Sequence, residues 1–216
     1  MTMTDDELGR WLAARAGKLT ASRMRDVLAV LKDGRPAKAR MDYAKELVAE
    51  RVADGSVRHY VSPAMQHGLE YEDEAKRAYE TATGDLIDDP RDFAEHGFFN
   101  HPTIEWFGAS PDGMLGRHGL IEVKCPTMPT FVDWKLAGIV PLEHEPQMLA
   151  QLACTGRRFV IFCAYDPRIK DPAGRLFVRR FEPKREQIAA VEAAARDFLA
   201  DVEAMFRAFT EAPMTA

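Results

Sequence analysis

The chain runs to 216 residues, 46% of them hydrophobic and 29% charged, the make-up of an ordinary globular protein with enough apolar residues for one sizeable core. Its net charge of −5 argues against indiscriminate nucleic-acid binding, which favours a basic surface, but leaves room for a basic channel focused within an acidic whole. No apolar run nears the ~20 residues that a membrane span needs. Met1–Glu7 is acidic and lacks the apolar segment of a secretory signal. Cys125, Cys154 and Cys163 have no metal-type spacing and read as reduced thiols of a cytoplasmic protein.

In chain order, residues 7–15 read as a short helix with Leu8, Trp11 and Leu12 on one face, after an N-terminal extension over 1–9. Thr20-Ala21-Ser22 reads as the capped start of a second helix, with Met24, Val27 and Leu28 at helical spacing. Asp33-Gly34-Arg35-Pro36 is a turn, and 38–53 a helix with Met41, Ala44, Leu47, Val48 and Val52 as its stripe, ended by Asp54-Gly55-Ser56. Residues 63–82 form another helix, with Pro63 in its first turn and Gly84 past its end. The period then changes. Phe93, Phe98, Phe99, Ile104, Trp106 and Phe107, broken by Gly97 and Asn100-His101-Pro102, predict two or three antiparallel strands leading to Ser110-Pro111-Asp112-Gly113. Residues 119–124 are the next strand, and 130–136 and 142–154 are helical. Phe159–Ala164 is almost wholly apolar, the mark of a central strand covered on both faces. Residues 176–178 form a strand and 183–209 a long amphipathic helix, ahead of a frayed tail over 211–216. The order predicts one α/β (α+β) domain over residues 1–216 with a central mixed sheet flanked by helices.

The chemistry concentrates in Gly108–Gly113 and Leu120–Pro126. On a strand, residues two apart share a face, so Glu122 and Lys124 point one way while Ile121 and Val123 point into a core. Asp112 returns to the Glu122 face if the two segments pair as a hairpin. Two carboxylates then meet one ammonium. Such oxygens suit Mg²⁺, which keeps several waters and takes further ligands from phosphate; Mn²⁺ accepts the same donors. Taken singly, Asp112-Gly113 is a common turn pair and Glu122 with Lys124 could be the solvated face of an edge strand; the flanking Ser110-Pro111 and Cys125-Pro126 shift the balance to a metal site. The histidines show no i, i+4 ligand pairing: His59, His96, His101, His118 and His144 read as surface or satisfied polar positions, and His67 as a neighbour of the site. Trp106, Phe107 and Trp134 read as core.

Several blocks in order resemble the phage lambda exonuclease group, the YqaJ-like viral recombinase nucleases of the PD-(D/E)XK superfamily: Trp11–Ser22, Gly68–Ala75, Ser110–Gly113 with Leu120–Pro126, and Gln147–Gln151 with Ala164–Arg168. They span roughly residues 10–170. The resemblance implies a restriction-endonuclease-like core. It further implies an Mg²⁺-dependent exonuclease that degrades one strand of linear duplex DNA from 5′ to 3′, as a homotrimeric ring, leaving a 3′ single strand for an annealing protein. Carried over block by block, Asp112, Glu122, Glu72 and the Val123 carbonyl would hold metal. Lys124 would activate water, and Gln147 would sit near that water. Arg15 and Ser22, with Ser110, would hold the 5′-phosphate, and Met65 would be an apolar wedge at the end base pair. His67 and Pro146 depart from the family's pattern, as does the lack of a tyrosine near Gln147.

An arginine beside a helix N-terminus suits an anionic group, which agrees with the roles of Arg15 and Ser22. In the acidic run Glu70, Glu72, Asp73 and Glu74 only one residue need be a ligand, and the rest read as solvated surface. Gln151 reads as packing or a DNA contact. An amine near a divalent cation has a lowered pKa, so activity is expected to rise toward alkaline pH. The competing expectations are a restriction-type or structure-specific endonuclease on the same fold, which would cut closed circular DNA, and a catalytically dead DNA-binding subunit, which the intact Asp112, Glu122 and Lys124 oppose.

Overall fold

The computed structural model describes residues 4–53 and 63–212; the side chains of Asp5, residues 63–67 and Leu69 lie outside the described set. The positions expected for Met65, His59 and His67, and the stop at residues 54–56, therefore fall outside it. Helix α1 (Asp5–Arg15) starts two residues before the predicted one because Thr4 caps it reciprocally with Glu7: the Glu7 amide donates to Thr4 Oγ1 (3.3 Å) and the Thr4 amide to Glu7 Oε2 (2.8 Å).

Thr20 does not open a helix. It closes a short strand, β1 (Leu19–Thr20), which a 3₁₀ turn joins to the four-residue helix α2 (Met24–Val27). The Thr20 side chain makes no cap bond. Its amide instead donates to the Tyr43 hydroxyl (3.0 Å), so a tertiary contact overrides the capping preference. Helices α3 (Lys38–Val52) and α4 (Pro63–Thr83) follow as predicted, and Gly84 leaves α4 at φ +78°.

The remaining elements are β2 (Ile87–Asp88), β3 (Phe99–Asn100), β4 (Phe107–Ala109), β5 (Gly113–Leu115), β6 (Gly119–Lys124), α5 (Met128–Ala137), α6 (Glu145–Thr155), β7 (Phe159–Tyr165), β8 (Leu176–Phe181) and α7 (Arg185–Thr210). Among the described residues the strands form two mixed sheets, in the orders β1-β4-β3 and β2-β5-β6-β7-β8. Strands β6 and β7 run parallel, and the other pairs of the larger sheet are antiparallel.

The larger sheet is covered on both faces. Ala75 and Tyr79 of α4 pack on Ile121, Val123, Cys163 and Tyr165. Phe131 of α5 and Met148 and Leu152 of α6 pack on Leu120, Val160 and Phe162. A third cluster joins α3 and α7 to the small sheet through Tyr43, Leu47, Phe198, Val202 and Phe107, with the Tyr43 and Phe198 rings stacked at 5.4 Å. The expected core strand β7 is central, and the mixed α/β architecture is the predicted one.

Some expected core positions are not core. Trp106 is 40% exposed, and Met41 and Val52 of the expected α3 stripe are 43% and 44% exposed. Trp106 adopts φ +62°, with the Arg51 guanidinium 4.3 Å from the centre of its ring. His101 is a satisfied buried histidine: its Nδ1 accepts from the Thr103 and Ile104 amides (3.2 and 3.0 Å) and its Nε2 lies 3.3 Å from Glu192. The cysteines are free, with Cys154 and Cys163 buried.

Candidate active site

The hairpin that the metal-site reading needs is present. Strands β5 and β6 pair with Gly113 opposite Ile121, which brings the preceding Asp112 back to the end of β6 that carries Glu122 and Lys124. Asp112 Oδ2 accepts a hydrogen bond from the Val123 amide (2.7 Å). This bond fixes the aspartate to the strand whose carbonyl was expected to complete the ligand set.

Glu122 is not on a solvated face. It is fully buried, because α6 covers that side of β6. Its carboxylate is satisfied by charge-assisted bonds, which is what an ionised group needs away from water. Gln147 Nε2 donates to Oε1 (2.6 Å), Gln151 Nε2 donates to Oε2 (2.5 Å) and the Lys124 ammonium pairs with Oε1. Gln147 therefore lies against Glu122. Gln151 lies there too and is neither plain packing nor a surface contact. The sequence carries the signal for it: Gln151 sits one helical turn after Gln147, on the same face.

The electrostatics are those of crowded acids. Burial first, and the Glu122 carboxylate second, push the Asp112 carboxyl up to about 6. Glu72 on α4 is also raised, by burial and then by Asp112. It pairs with Lys76 (2.6 Å), a cation that sequence reasoning missed. Burial lowers the Lys124 pKa, but the Glu122 and Asp112 carboxylates outweigh it and hold the ammonium above its ordinary range. The expected downward shift of Lys124 thus belongs only to a site that holds a divalent cation.

These residues fit Mg²⁺. The donors are hard oxygens, and the raised carboxyls mark negative charge in want of a counter-charge. Among the described residues, no three His, Cys, Asp or Glu side chains form a ready metal cage. Two close carboxylates with the rest from water and phosphate is the regime that Mg²⁺ favours over all-protein cages. Glu72 is in the electrostatic neighbourhood, not in a closed three-acid cluster. Glu74 is not solvated surface, since it accepts from the Tyr165 hydroxyl (2.6 Å).

Arg15, Ser22 and Ser110 also come together. The Arg15 guanidinium donates to Ser110 Oγ (3.0 Å) and to Ser22 Oγ (3.4 Å) and lies 4.1 Å from the centre of the Trp11 ring. Trp11 Nε1 donates to the same Ser110 oxygen (3.2 Å). No carboxylate pairs with Arg15 among the described residues, and burial lowers its pKa to about 10. A desolvated cation among hydroxyls is arranged for an anion. The helix N-terminus expected to assist is absent as a dipole, because α2 is only four residues long. Ser110 stands two residues from Asp112, so the anion pocket and the acids share one stretch of backbone.

Another histidine departs from expectation. His144 packs its ring against Trp134 (5.1 Å) and Phe162 (5.4 Å), and its buried Nε2 has no hydrogen-bond partner among the described residues. Burial and then the nearby Lys124 lower its pKa to about 4, so it is neutral.

Residues 10–158 match the family model of the YqaJ-like viral recombinase domain. The chain is 37% identical to the alkaline exonuclease from Laribacter hongkongensis, over 94% of this chain and 96% of that one, with a TM-score of 0.82. The same exonuclease in complex with dAMP gives a TM-score of 0.83 at the same identity and coverage. A phage-related exonuclease from Haemophilus somnus 129PT shares the fold at 13% identity and a TM-score of 0.61, over 87% of this chain and 96% of that one. No curated protein gives a significant match. With the ordered motifs, the matched fold and the match over residues 10–158 in agreement, the chain belongs to the YqaJ-like viral recombinase family and is a homologue of an alkaline exonuclease.

Proposed function

We propose that this protein is an Mg²⁺-dependent exonuclease that degrades one strand of linear double-stranded DNA from 5′ to 3′ and leaves a 3′ single strand for annealing. The observation that carries the reading is the Arg15 guanidinium, which has no carboxylate within ion-pair distance among the described residues and is bonded to Ser22 and to Ser110 two residues before Asp112. A terminal 5′-phosphate held there fixes the adjoining phosphodiester against the acids, which turns end recognition into positioning. Kinship with an alkaline exonuclease supports the same reaction class.

Asp112, Glu122 and the Val123 carbonyl would hold the metal, with Glu72 holding a second ion or its waters. A bound Mg²⁺, for which Mn²⁺ would substitute, would neutralise the scissile phosphate and acidify a water. With a cation offsetting the Glu122 and Asp112 charges, Lys124 could shed its proton, and it would then orient the attacking water and take that water's proton. Gln147, within hydrogen-bond reach of Glu122, holds that water's approach. With metal saturating, the rate should rise between neutral pH and pH 9; a flat profile would remove Lys124 from the proton transfer. Met65 would part the end base pair. The family resemblance supports a homotrimeric ring around the duplex, an annealing protein as partner, and a cytoplasmic setting. Among the described residues, no helix is long and apolar enough to cross a membrane.

The test is a gel assay with Mg²⁺ on three duplexes: linear with free ends, linear with one recessed or blocked 5′ end, and covalently closed circular. Loss of one strand from free 5′ ends with the circle intact is the expected result. Cutting of the circle would favour an endonuclease, and no product from any substrate a binding module.

A further inference from the structure

The two oxygens of the Glu122 carboxylate are held unequally. Oε1 is shared by Gln147, a half-buried side chain on the open side of α6, and by the Lys124 ammonium. Both partners sit at the rim of the site and can turn to water or phosphate. Oε2 has one partner, Gln151 Nε2 at 2.5 Å, and Gln151 is fully buried. The amide cannot be the other way round, since its oxygen would then face a carboxylate oxygen. In the orientation present, Gln151 Oε1 is buried with no hydrogen-bond partner among the described residues. An unsatisfied buried carbonyl has a cost, and α6 carries it at the position that clamps Glu122.

From this asymmetry we infer that Gln151 is a positioning residue that occupies Glu122 Oε2, offers only Oε1 to a cation, and so selects small divalent ions over Ca²⁺. The inference rests on the metal-site reading above. Its physical basis is the difference between the ions. Ca²⁺ takes six to eight oxygens and uses both oxygens of a carboxylate readily, whereas Mg²⁺ takes a stricter set of six and is content with one carboxylate oxygen and water. Pinning Oε2 removes the donor that Ca²⁺ gains most from. Methionine in place of Gln151 fills nearly the same volume without a donor, so it frees Oε2 while leaving α6 packed.

The experiment is titration calorimetry of the DNA-free protein with MgCl₂ and, separately, CaCl₂. Gln151→Met should raise the ratio of Ca²⁺ to Mg²⁺ affinity by roughly fivefold or more. With DNA, it should lower kcat with Mg²⁺ and leave KM for DNA ends near wild type. Met148→Ala, which opens a cavity in the same helix face, controls for loosened packing and should leave the ion ratio unchanged. An unchanged ratio in Gln151→Met, in a protein whose wild type hydrolyses DNA with Mg²⁺, overturns this inference alone. An equal rise in the Met148→Ala control overturns it in favour of general loosening. A wild type that binds neither ion overturns it together with the metal-site reading.

Discussion

Burial governs what each charged side chain of the site can do. Asp112 titrates near 6 because burial and Glu122 disfavour its charge. A carboxyl whose folded pKa is raised costs the fold stability as pH climbs from its unfolded value, about 4, through that folded value. A bound cation removes the cost, and protons compete with the cation below pH 6. The Tm increment between Mg²⁺ and EDTA should therefore be small at pH 5 and several degrees at pH 7.5. Asp112→Asn should abolish the increment, and a full increment at pH 5 would remove Asp112 from the metal site. Glu122→Gln should cut hydrolysis by roughly 10³-fold or more, about 4 kcal/mol of barrier, while leaving binding of DNA ends intact; cleavage near the wild-type rate would sink the assignment. Arg15→Ala should lower kcat/KM on 5′-phosphorylated ends by about 100-fold, about 2.7 kcal/mol, and change the rate on 5′-hydroxyl ends little. Equal losses on the two ends would make Arg15 a packing residue.

At the scale of elements, three pieces aim the site. The β5–β6 hairpin sets Asp112 against the Val123 amide. Helix α6 brings two glutamines, one turn apart, onto one carboxylate. Strand β4 carries Ser110 past its end, and its own seat is tight. A Cβ at Gly108 would lie 2.2 Å from the Phe98 ring and 2.9 Å from the Phe99 carbonyl. Gly108→Ala must push β3 and β4 apart, and the Phe98 ring that lies near Arg15 and Lys18 must shift with them. The expected loss is about 1–3 kcal/mol in denaturant unfolding, with weaker discrimination of 5′-phosphate. These elements were legible in unequal degree. The β6 and β7 strands and helices α3, α4 and α7 stand out because long periodic or apolar runs repeat one preference many times. Strand β1 and the shortness of α2 were not legible, because Thr20 is held by Tyr43, 23 residues away.

For the whole molecule, the acids and the lysine, their order along the chain and the α/β class follow from the sequence by itself. Periodicity places Glu122 and Lys124 on one strand face, and the apolar runs dictate a covered sheet whatever the loops do. The ordered motifs also carry the family, which the matched structures bear out. Only the tertiary structure decided that both faces of β6 are covered, so that Glu122 is a buried charge with every oxygen engaged. It alone put Lys76 beside Glu72, buried the His144 Nε2 with no hydrogen-bond partner among the described residues, and bonded Arg15 to two serine hydroxyls. The physical reason is the range of the forces. Strand and helix preferences act between near neighbours and are written locally, whereas burial, and with it charge, pKa and hydrogen-bond need, depends on which distant segment comes to lie on top.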